Sequence, residues 1–296
     1  MAAAPRPRRS ALYIPGSNAR ALDKGRTIPA DVLILDLEDA VAVEAKEMAR
    51  AAVAAAVNVH AYGKREVVVR VNGLGTPWIA RDIAAVVAAM PDAVLIPKIS
   101  RMEDIRRARA ALAAAQAPPG LSLWAMIETP LAVLNAASIA STADNGSGAP
   151  LDTLVIGTND LAREMGVRLL PGRAALVPAL SQCVLAARAY GLAVLDGTYN
   201  DLTDWKGFDT ECQQGRDLGM DGKTLIHPRQ VPIANEAFAP SNEEVEWAEK
   251  VLAAFDRPEN HDKAVIAVEG QMVERMHERM ALRVIETATA ILPDDD

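Results

Sequence analysis

The segment Ala30–Val41 reads ADVLILDLEDAV and contains the two features that decide the fold. Its first part, Val32–Leu37, is apolar at every position but Asp36. Continuous apolar runs of this length are typical of strands that are buried on both faces of a parallel sheet. The second part changes to carboxylates, with Glu38 and Asp39 directly after the run. The segment therefore predicts a buried parallel strand with acidic residues at its carboxyl end.

The same pattern recurs along the chain, and between the apolar runs lie Ala-rich stretches with helical spacing. Such alternation predicts parallel strands joined by crossover helices. Eight repeats favour a closed α/β barrel of the (β/α)8 TIM type over an open doubly wound sheet, whose nucleotide-binding form would carry the GxGxxG loop that this sequence lacks. The predicted strands are Ala11–Ile14, Val32–Leu37, Glu66–Val71, Ala93–Pro97, Ser122–Ile127, Thr153–Ile156, Leu192–Leu195 and Lys223–Ile226. The predicted outer helices include Glu44–Val57, Ile79–Ala89, Met102–Ala115, Leu131–Thr142 and Ala174–Tyr190.

The two ends of the chain depart from this pattern. Residues 1–10 are rich in arginine and lack the apolar stretch of a secretory signal, so we expect a disordered tail, with an organelle-targeting remnant as the alternative. Residues 11–235 then form the catalytic barrel. Residues 236–296 are expected to form a C-terminal helical extension, with helices near Glu243–Phe255 and Val273–Ile291. This extension could cover the barrel mouth or complete the site of a neighbouring subunit.

Composition narrows the classes of partner. The net charge of −8 argues against nucleic acid and anionic membranes as partners. No run of 18 apolar residues is present, as a membrane-spanning helix would require. Cys183 and Cys212 lie far apart without CxxC spacing, which predicts neither a disulfide framework nor a zinc site, and we expect a cytoplasmic location.

Ionisable residues follow nearly every predicted strand, where a (β/α)8 barrel has its catalytic groups. They are Asp36, Glu38, Asp39, Arg70, Lys98, Glu128, Asp160, Asp196 and His227, with Asn72 beside them. For any one of them, an ordinary polar loop is the alternative. An all-oxygen set suits Mg²⁺, or Mn²⁺, better than zinc. We predict that Glu128 and Asp160 bind this cation, and that Glu38 and Asp39 hold its water molecules.

Arg70 is the candidate cation of the site. Its planar fork of donors suits a carboxylate, or a thioester oxygen that becomes an enolate during reaction. The alternative is an ion pair with Asp36 or Glu38. His227 precedes a proline and is predicted to be structural rather than a catalytic base.

A basic segment follows the first strand. Gly16 and Ser17 precede a predicted helix that carries Arg20 and Lys24 one turn apart. Backbone N–H groups at a helix start, together with two cations, could bind a phosphate, and a solvated basic face is the equal alternative.

Nine motifs taken in order resemble the citrate lyase β-subunit-like (HpcH/HpaI aldolase) family, which includes malyl-CoA and citramalyl-CoA lyases and malyl-CoA thioesterases. The motifs are RSALYIPGSNARAL, ADVLILDLEDAV, VVVRVNGLGTPW, AVLIPK, AMIETP, LVIGTNDLAREMG, GLAVLDG, GMDGKTLIHPRQV and NEAFAPSNEEV. The resemblance covers nearly the whole chain. It implies a barrel that assembles as a homotrimer or a dimer of trimers, with Mg²⁺ on Glu128 and Asp160 and with Arg70 in the active site.

The resemblance also implies an acyl-CoA substrate. In the N-terminal segment it assigns coenzyme A contacts to Tyr13, Asn18 and Lys24. The first activity implied is a Mg²⁺-dependent lyase that cleaves or forms a carbon–carbon bond in a 3-hydroxyacyl-CoA such as malyl-CoA or citramalyl-CoA. The alternatives are a (3S)-malyl-CoA thioesterase on the same site and a citrate lyase β subunit that needs an acyl-carrier partner.

One departure from the family pattern lies in the tail. Many lyases of this family have a GxMID-like motif, whose aspartate enters the neighbouring subunit's site. This chain reads GQMVERMH and has Glu274 at that position. The VExxH form resembles that of the malyl-CoA thioesterase-type members. The extra methylene moves the carboxylate by roughly an ångström, enough to affect catalysis. Glu274 is therefore the second predicted catalytic residue, and the choice of reaction is expected to depend on it.

Overall fold

Eight parallel strands close into a barrel in sequence order, as the sequence predicts. The computed structural model describes residues 6–143 and 148–291. The barrel strands are β1 (Ser10–Pro15), β2 (Val32–Asp36), β3 (Glu66–Arg70), β4 (Ala93–Ile96), β5 (Ser122–Ile127), β6 (Leu151–Ile156), β7 (Ala193–Asp196) and β8 (Gly222–Leu225). Each predicted strand is found within two residues of its predicted ends.

Alternate residues of the strands fill the barrel interior with apolar side chains. The interior cluster consists of Ala11, Val32, Ile34, Val68, Ala93, Leu95, Trp124, Met126, Val155 and Leu195. Because side chains alternate along a strand, the residues that continue this phase at the carboxyl ends are directed into the barrel mouth. Asp36 continues from Ile34, Arg70 from Val68, and Glu128 from Met126. Asp196 directly follows the interior Leu195 and is therefore directed outwards.

The helices form the outer layer of the barrel. They are α1 (Ala19–Lys24), α2 (Lys46–Asn58), α3 (Ile79–Ala89), α4 (Met102–Ala114), α5 (Pro130–Leu134), α6 (Ala136–Ala140), α7 (Thr158–Met165), α8 (Val177–Ala189), α9 (Trp205–Asp217) and α10 (Gln230–Ala237). The predicted single helix over Leu131–Thr142 is two helices, broken at Asn135. The Asn135 side chain donates to the carbonyl oxygen of Ser100 at 2.9 Å, which ties the break to the adjoining loop.

The predicted disordered tail is wrong for its last three residues. Two nitrogens of Arg8 donate to the Glu66 carboxylate at 2.6 and 2.7 Å. Arg9 donates to both oxygens of Asp31 at 2.8 Å, and residue 10 opens β1. Ion pairs at the amino ends of the strands therefore order these residues, a role that a run of arginines does not reveal. The rest of the predicted tail lies largely outside the described residues.

Residues 8–237 form one compact unit, and the chain from Phe238 belongs to a second. The second unit contains α11 (Asn242–Phe255), β9 (Val265–Val268), β10 (Gln271–Glu274) and α12 (Arg275–Ile291). Its helices agree with the predicted ones, but the antiparallel hairpin of β9 and β10 was not predicted. The two-residue turn at Glu269 and Gly270, with φ of 49° and 83°, matches a Gly-containing hairpin signal that the sequence does carry. In the described part of the chain, no helix is both long and apolar enough to cross a membrane.

Candidate active site

A buried ion pair lies at the ends of β2 and β3, where the strand register puts Asp36 beside Arg70. Arg70 Nε donates to Asp36 Oδ1 at 2.7 Å, and Nη2 donates to Oδ2 at 2.6 Å. The guanidinium carbon lies 4.7 Å from the centre of the Tyr13 ring. The ion pair that the sequence left as an alternative for Arg70 is therefore present. It occupies the fork of donors that was predicted to bind a substrate oxygen.

One guanidinium nitrogen remains outside this pair. Arg70 Nη1 lies 3.1 Å from Glu38 Oε2, but the geometry does not make a hydrogen bond. Its other polar neighbour is the sulfur of Met126 at 3.8 Å, a weak acceptor. Nη1 is thus the guanidinium nitrogen without a strong acceptor, and it can donate a hydrogen bond to a bound molecule.

Glu38 lies among cations at the barrel mouth. Lys98 Nζ donates to Glu38 Oε1 at 2.9 Å. Lys46, itself buried, donates to the backbone carbonyl oxygens of Leu37 and Glu38 at 2.9 and 2.7 Å, which fixes the loop after β2. Burial raises the pKa of Glu38, and Arg70 and Lys98 oppose that rise. The neighbouring Asp39 is exposed.

Glu128 is fully buried at the end of β5. Its Oε1 accepts the backbone N–H of Lys98 at 2.7 Å, whereas Oε2 has no hydrogen-bond partner. Burial first, and then the negative charge of Glu38, raise the pKa of Glu128 to about 8. Gly157 leaves room for this side chain, because a Cβ at that position would lie 2.7 Å from Glu128 Oε2. The site therefore contains a buried carboxylate oxygen without a partner, which a cation would satisfy.

Asp160 lies in the first turn of α7, and its side chain is 19% exposed. Its charge contributes to the raised pKa of Glu128, so the two carboxylates act on one another. Asp160 also forms an ion pair with Arg163, one turn further along the helix. Within the described residues no group of three or more His, Cys, Asp and Glu side chains could hold a metal ion. A pair of carboxylates fits a hard cation such as Mg²⁺, which keeps several of its water molecules.

The three residues predicted to contact coenzyme A have different environments. The Tyr13 hydroxyl is buried without a partner beside Arg70, and burial raises its pKa far above the ordinary value. The Asn18 side chain caps α1 by accepting the backbone N–H of Ala21 at 3.1 Å. Lys24 is exposed in the last turn of the same helix. Tyr13 thus belongs to the barrel interior, and the coenzyme contacts of all three residues stay predictions.

Two of the polar residues that follow strands do not join the group at the mouth. Asp196 binds Arg173 and Lys223 at distances from 2.8 to 3.0 Å, between the barrel and the outer helices. Asn72 donates to Asp82 of α3 at 2.6 Å. Their position after a strand therefore does not make them site residues.

His227 and Glu274 lie in local structures of their own. His227 Nδ1 accepts a backbone N–H two residues later at 3.1 Å, in keeping with the structural role predicted for it. Glu274 ends β10 in the second unit, and its backbone N–H donates to His277 Nδ1 at 3.0 Å. The catalytic role of Glu274 stays a prediction.

Lys98 is the residue whose importance the sequence did not reveal. It contacts both glutamates, one through its backbone and one through its side chain. Its φ of 57° is in the left-handed region, which a lysine rarely adopts. The motif AVLIPK gave its position after β4, but no signal in the sequence gives this backbone conformation.

The chain matches the family model described as HpcH/HpaI aldolase/citrate lyase over residues 9–228. It is 47% identical to a (3S)-malyl-CoA thioesterase of Cereibacter sphaeroides, over 96% of both chains. It is 34% identical to the citrate lyase subunit beta of Leuconostoc mesenteroides, over 96% of this chain and 94% of that one. A similar solved structure is that of CitE from Mycobacterium tuberculosis in complex with magnesium, acetoacetate and coenzyme A. It has a TM-score of 0.74 and 29% identity, over 95% of this chain and 97% of that one.

Proposed function

Because the chain belongs to the HpcH/HpaI aldolase/citrate lyase family, we propose that it hydrolyses (3S)-malyl-CoA to malate and coenzyme A with Mg²⁺ as cofactor. The observation that carries this proposal is the 47% identity to the (3S)-malyl-CoA thioesterase over 96% of both chains. The magnesium in the CitE complex supports the choice of metal. This order reverses the expectation from the motifs, in which carbon–carbon lyase activity came first.

Glu128 and Asp160 would hold the cation, as the partnerless oxygen of Glu128 favours. When bound, Mg²⁺ orients an oxygen-rich acid and polarises its oxygens. Glu38 and Asp39 are proposed to hold the surrounding water molecules, Glu38 from a buried and Asp39 from an exposed position. Mn²⁺ as a substitute stays a prediction.

Arg70 is proposed to stabilise the negative charge that develops on the thioester oxygen. A donor fixed in a low-dielectric site is effective because it needs little reorganisation during the reaction. Asp36 holds the guanidinium through two hydrogen bonds, and Nη1 is the nitrogen left for the substrate. The partly buried Tyr13 ring supports the guanidinium from one side.

Glu274 is proposed to activate the water molecule that attacks the thioester carbonyl, from a neighbouring subunit of a homotrimer. This assignment rests on the family resemblance of the tail. Mixing Arg70→Ala protein with Glu274→Ala protein should restore part of the activity, since one site in a mixed oligomer would contain both residues. No recovery despite demonstrated subunit exchange would contradict the shared site.

A lyase reaction is the second candidate, and the 34% identity to a citrate lyase subunit beta favours it. The same residues would hold the malyl group while the carbon–carbon bond breaks to give glyoxylate and acetyl-CoA. Arg70 would then stabilise the enolate form of the thioester. The coenzyme contacts of Asn18 and Lys24, and the cytoplasmic location, stay predictions under both reactions.

The test is to incubate the purified protein with Mg²⁺ and (S)-malyl-CoA and to follow malate, free coenzyme A, glyoxylate and acetyl-CoA separately. Malate and free coenzyme A without glyoxylate are expected. Glyoxylate and acetyl-CoA without free coenzyme A would overturn hydrolysis in favour of the lyase. Neither pair of products, with citramalyl-CoA also inert, would favour a subunit that depends on an acyl-carrier partner.

A further inference from the structure

Lys98 donates a hydrogen bond to each of the two glutamates of the site, Glu38 and Glu128. Its backbone N–H donates to Glu128 Oε1 at 2.7 Å, and its ammonium donates to Glu38 Oε1 at 2.9 Å. The backbone of Lys98 is left-handed in this arrangement, with φ at 57°. Of the other non-glycine residues with positive φ among those described, His60, Met90 and Gln116 follow the ends of helices, where it is common, Glu269 lies in the hairpin turn, and Arg173 lies in the loop before α8. An unfavourable conformation at a strand end beside buried carboxylates suggests a functional reason.

The two contacts of Lys98 serve different partners. The backbone contact occupies one oxygen of Glu128 and leaves Oε2 as the oxygen without a partner. It does not depend on the side chain. The ammonium contact draws Glu38 towards the mouth, where the Lys98 side chain is 50% exposed. A substitution of the side chain therefore separates the second contact from the first.

Glu38 lies between two cations that compete for it. Its Oε1 is hydrogen-bonded to Lys98, while its Oε2 lies 3.1 Å from Arg70 Nη1 without making a hydrogen bond. Without the ammonium, Glu38 would be left with Arg70 as its nearby cation, and a small rotation would complete that hydrogen bond. Glu38 would then hold Nη1, with one of its two N–H groups occupied.

We infer that Lys98 is a positioning residue, which holds Glu38 away from Arg70 and so keeps Arg70 Nη1 available to the substrate. This inference rests on the proposed function, in which Nη1 stabilises the charge on the thioester oxygen. The backbone of Lys98 then serves the cation site through Glu128, and its side chain affects the reaction through Glu38.

The test compares Lys98→Met with Lys98→Arg and with Lys206→Met, an exposed lysine outside the site. Removal of the ammonium should lower kcat by about 10- to 100-fold, as is usual for groups that orient a site residue. Arg at position 98 can still pair with Glu38 and should restore kcat to within about 10-fold of wild type by the same measure. Lys206→Met should leave kcat unchanged. An unchanged kcat in Lys98→Met, or equal losses in Lys98→Met and Lys98→Arg, would overturn the inference.

A double-mutant cycle with Glu38→Gln distinguishes positioning from simple support of the fold. In the Glu38→Gln background no carboxylate competes for Arg70 Nη1, so adding Lys98→Met should lower kcat by no more than about 3-fold, a strongly non-additive result. Additive losses would contradict the inference. Binding of Mn²⁺ alone should be no weaker in Lys98→Met than in wild type, because the backbone contact with Glu128 is kept and a positive charge is removed. Weaker binding would likewise contradict it.

A crystal structure of Lys98→Met protein separates this inference from the proposed function. A hydrogen bond between Glu38 and Arg70 Nη1 would support the role of Lys98 whatever the substrate. Glu38 in an unchanged position would overturn it. A wild-type protein inactive on malyl-CoA would contradict the proposed function alone.

Discussion

Two clusters of buried charges lie in the same barrel, and they differ in how completely their carboxylates are hydrogen-bonded. Around β7, the carboxylate of Asp196 binds Arg173 and Lys223, and Lys223 also binds Glu211 at 2.8 Å. Two acids there face two bases, and both oxygens of Asp196 accept hydrogen bonds. At the mouth, Asp36, Glu38, Glu128 and Asp160 lie near the cations Arg70, Lys46, Lys98 and Arg163, yet one oxygen each of Glu38 and Glu128 lacks a hydrogen-bond partner.

The pKa values of the two clusters move in opposite directions. Burial would raise the pKa of Asp196, but Lys223 and Arg173 hold it below its ordinary value. Burial raises the pKa of Glu128 to about 8, and Glu38 adds to the rise. A carboxylate that prefers its charged form is already satisfied by the fold. A carboxylate whose charged form is disfavoured by its surroundings is stabilised by a bound cation. The direction of the pKa shift therefore indicates which cluster binds a ligand.

Glu128→Gln is expected to have the largest effect and would test the ligand-binding cluster. The amide keeps the shape but loses the charge, so Mg²⁺-dependent kcat should fall by about 10³- to 10⁴-fold, equivalent to about 4–5.5 kcal/mol. At neutral pH the unfolding temperature of metal-free protein should not fall, because the raised pKa means that folding disfavours the charged carboxylate that Gln replaces. Glu164→Gln, on the exposed face of α7, is the matched control. Normal turnover of Glu128→Gln at limiting Mg²⁺ would show that Glu128 is not a ligand.

Lys223→Met is expected to have the opposite effect, a loss of stability rather than of activity. Lys223 is fully buried, and its loss leaves Asp196 and Glu211 with one cation between them. Breaking a buried ionic cluster by removing one partner costs about 3–5 kcal/mol of unfolding free energy. Urea denaturation measures this loss, and Lys206→Met is the exposed control. If Lys223→Met instead lost activity while it kept its stability, the division between the two clusters would fail.

The sequence predicted the barrel better than it predicted which strand-end residues meet. Continuous apolar runs gave all eight strands, because burial on both faces leaves a clear mark on composition. Because almost every residue of such a run is apolar, the sequence does not show which face of a strand is directed into the barrel. Glu128 shares the interior phase of Trp124 and Met126, whereas Asp196 follows the interior Leu195 and is directed outwards. Both carboxylates were predicted at the mouth, and only the structure separates them.

Two other features were beyond the sequence for different reasons. The left-handed backbone of Lys98 depends on the surrounding barrel and has no mark in the residue type. The ion pair of Arg70 with Asp36 depends on the register of β2 against β3. Both residues, and the possibility that they pair, could be predicted from the sequence, but the competition between Arg70 and Lys98 for Glu38 could not.

The pH dependence of metal-free protein offers a smaller and sharper test. The pKa of Glu128 rises from an ordinary 4.5 to about 8 on folding, so the stability it contributes is present at low pH and is lost as the pH rises through that window. Glu128→Gln should remove this decline, with a change of slope of at most about 1.4 kcal/mol per pH unit. The depressed pKa of Asp196 acts the other way, since its contribution is present above 3.8 and is lost as the pH falls below that value.

Urea unfolding in the presence of a chelator, at several pH values between about 5 and 8, measures the slope that Glu128 contributes, because the window of Asp196 lies below this range. Asp196→Asn should lower the unfolding free energy throughout this range without changing its slope. Identical slopes for wild type and Glu128→Gln would mean that the two carboxylates do not differ as their pKa values indicate.

Arg163→Gln is expected to have the smallest effect, and it tests the ion pair beside the proposed cation site. Arg163 pairs with Asp160 but is 69% exposed, so the pair contributes little to stability. A cation must share Asp160 with this guanidinium, and its removal should tighten Mg²⁺ binding by about 2- to 5-fold, the equivalent of one exposed ion pair. Metal titration measures the change, with Arg168→Gln as the exposed control. Weaker binding would mean that Arg163 positions Asp160 as Lys223 positions Asp196. The ion pairs of the two clusters would then have the same role.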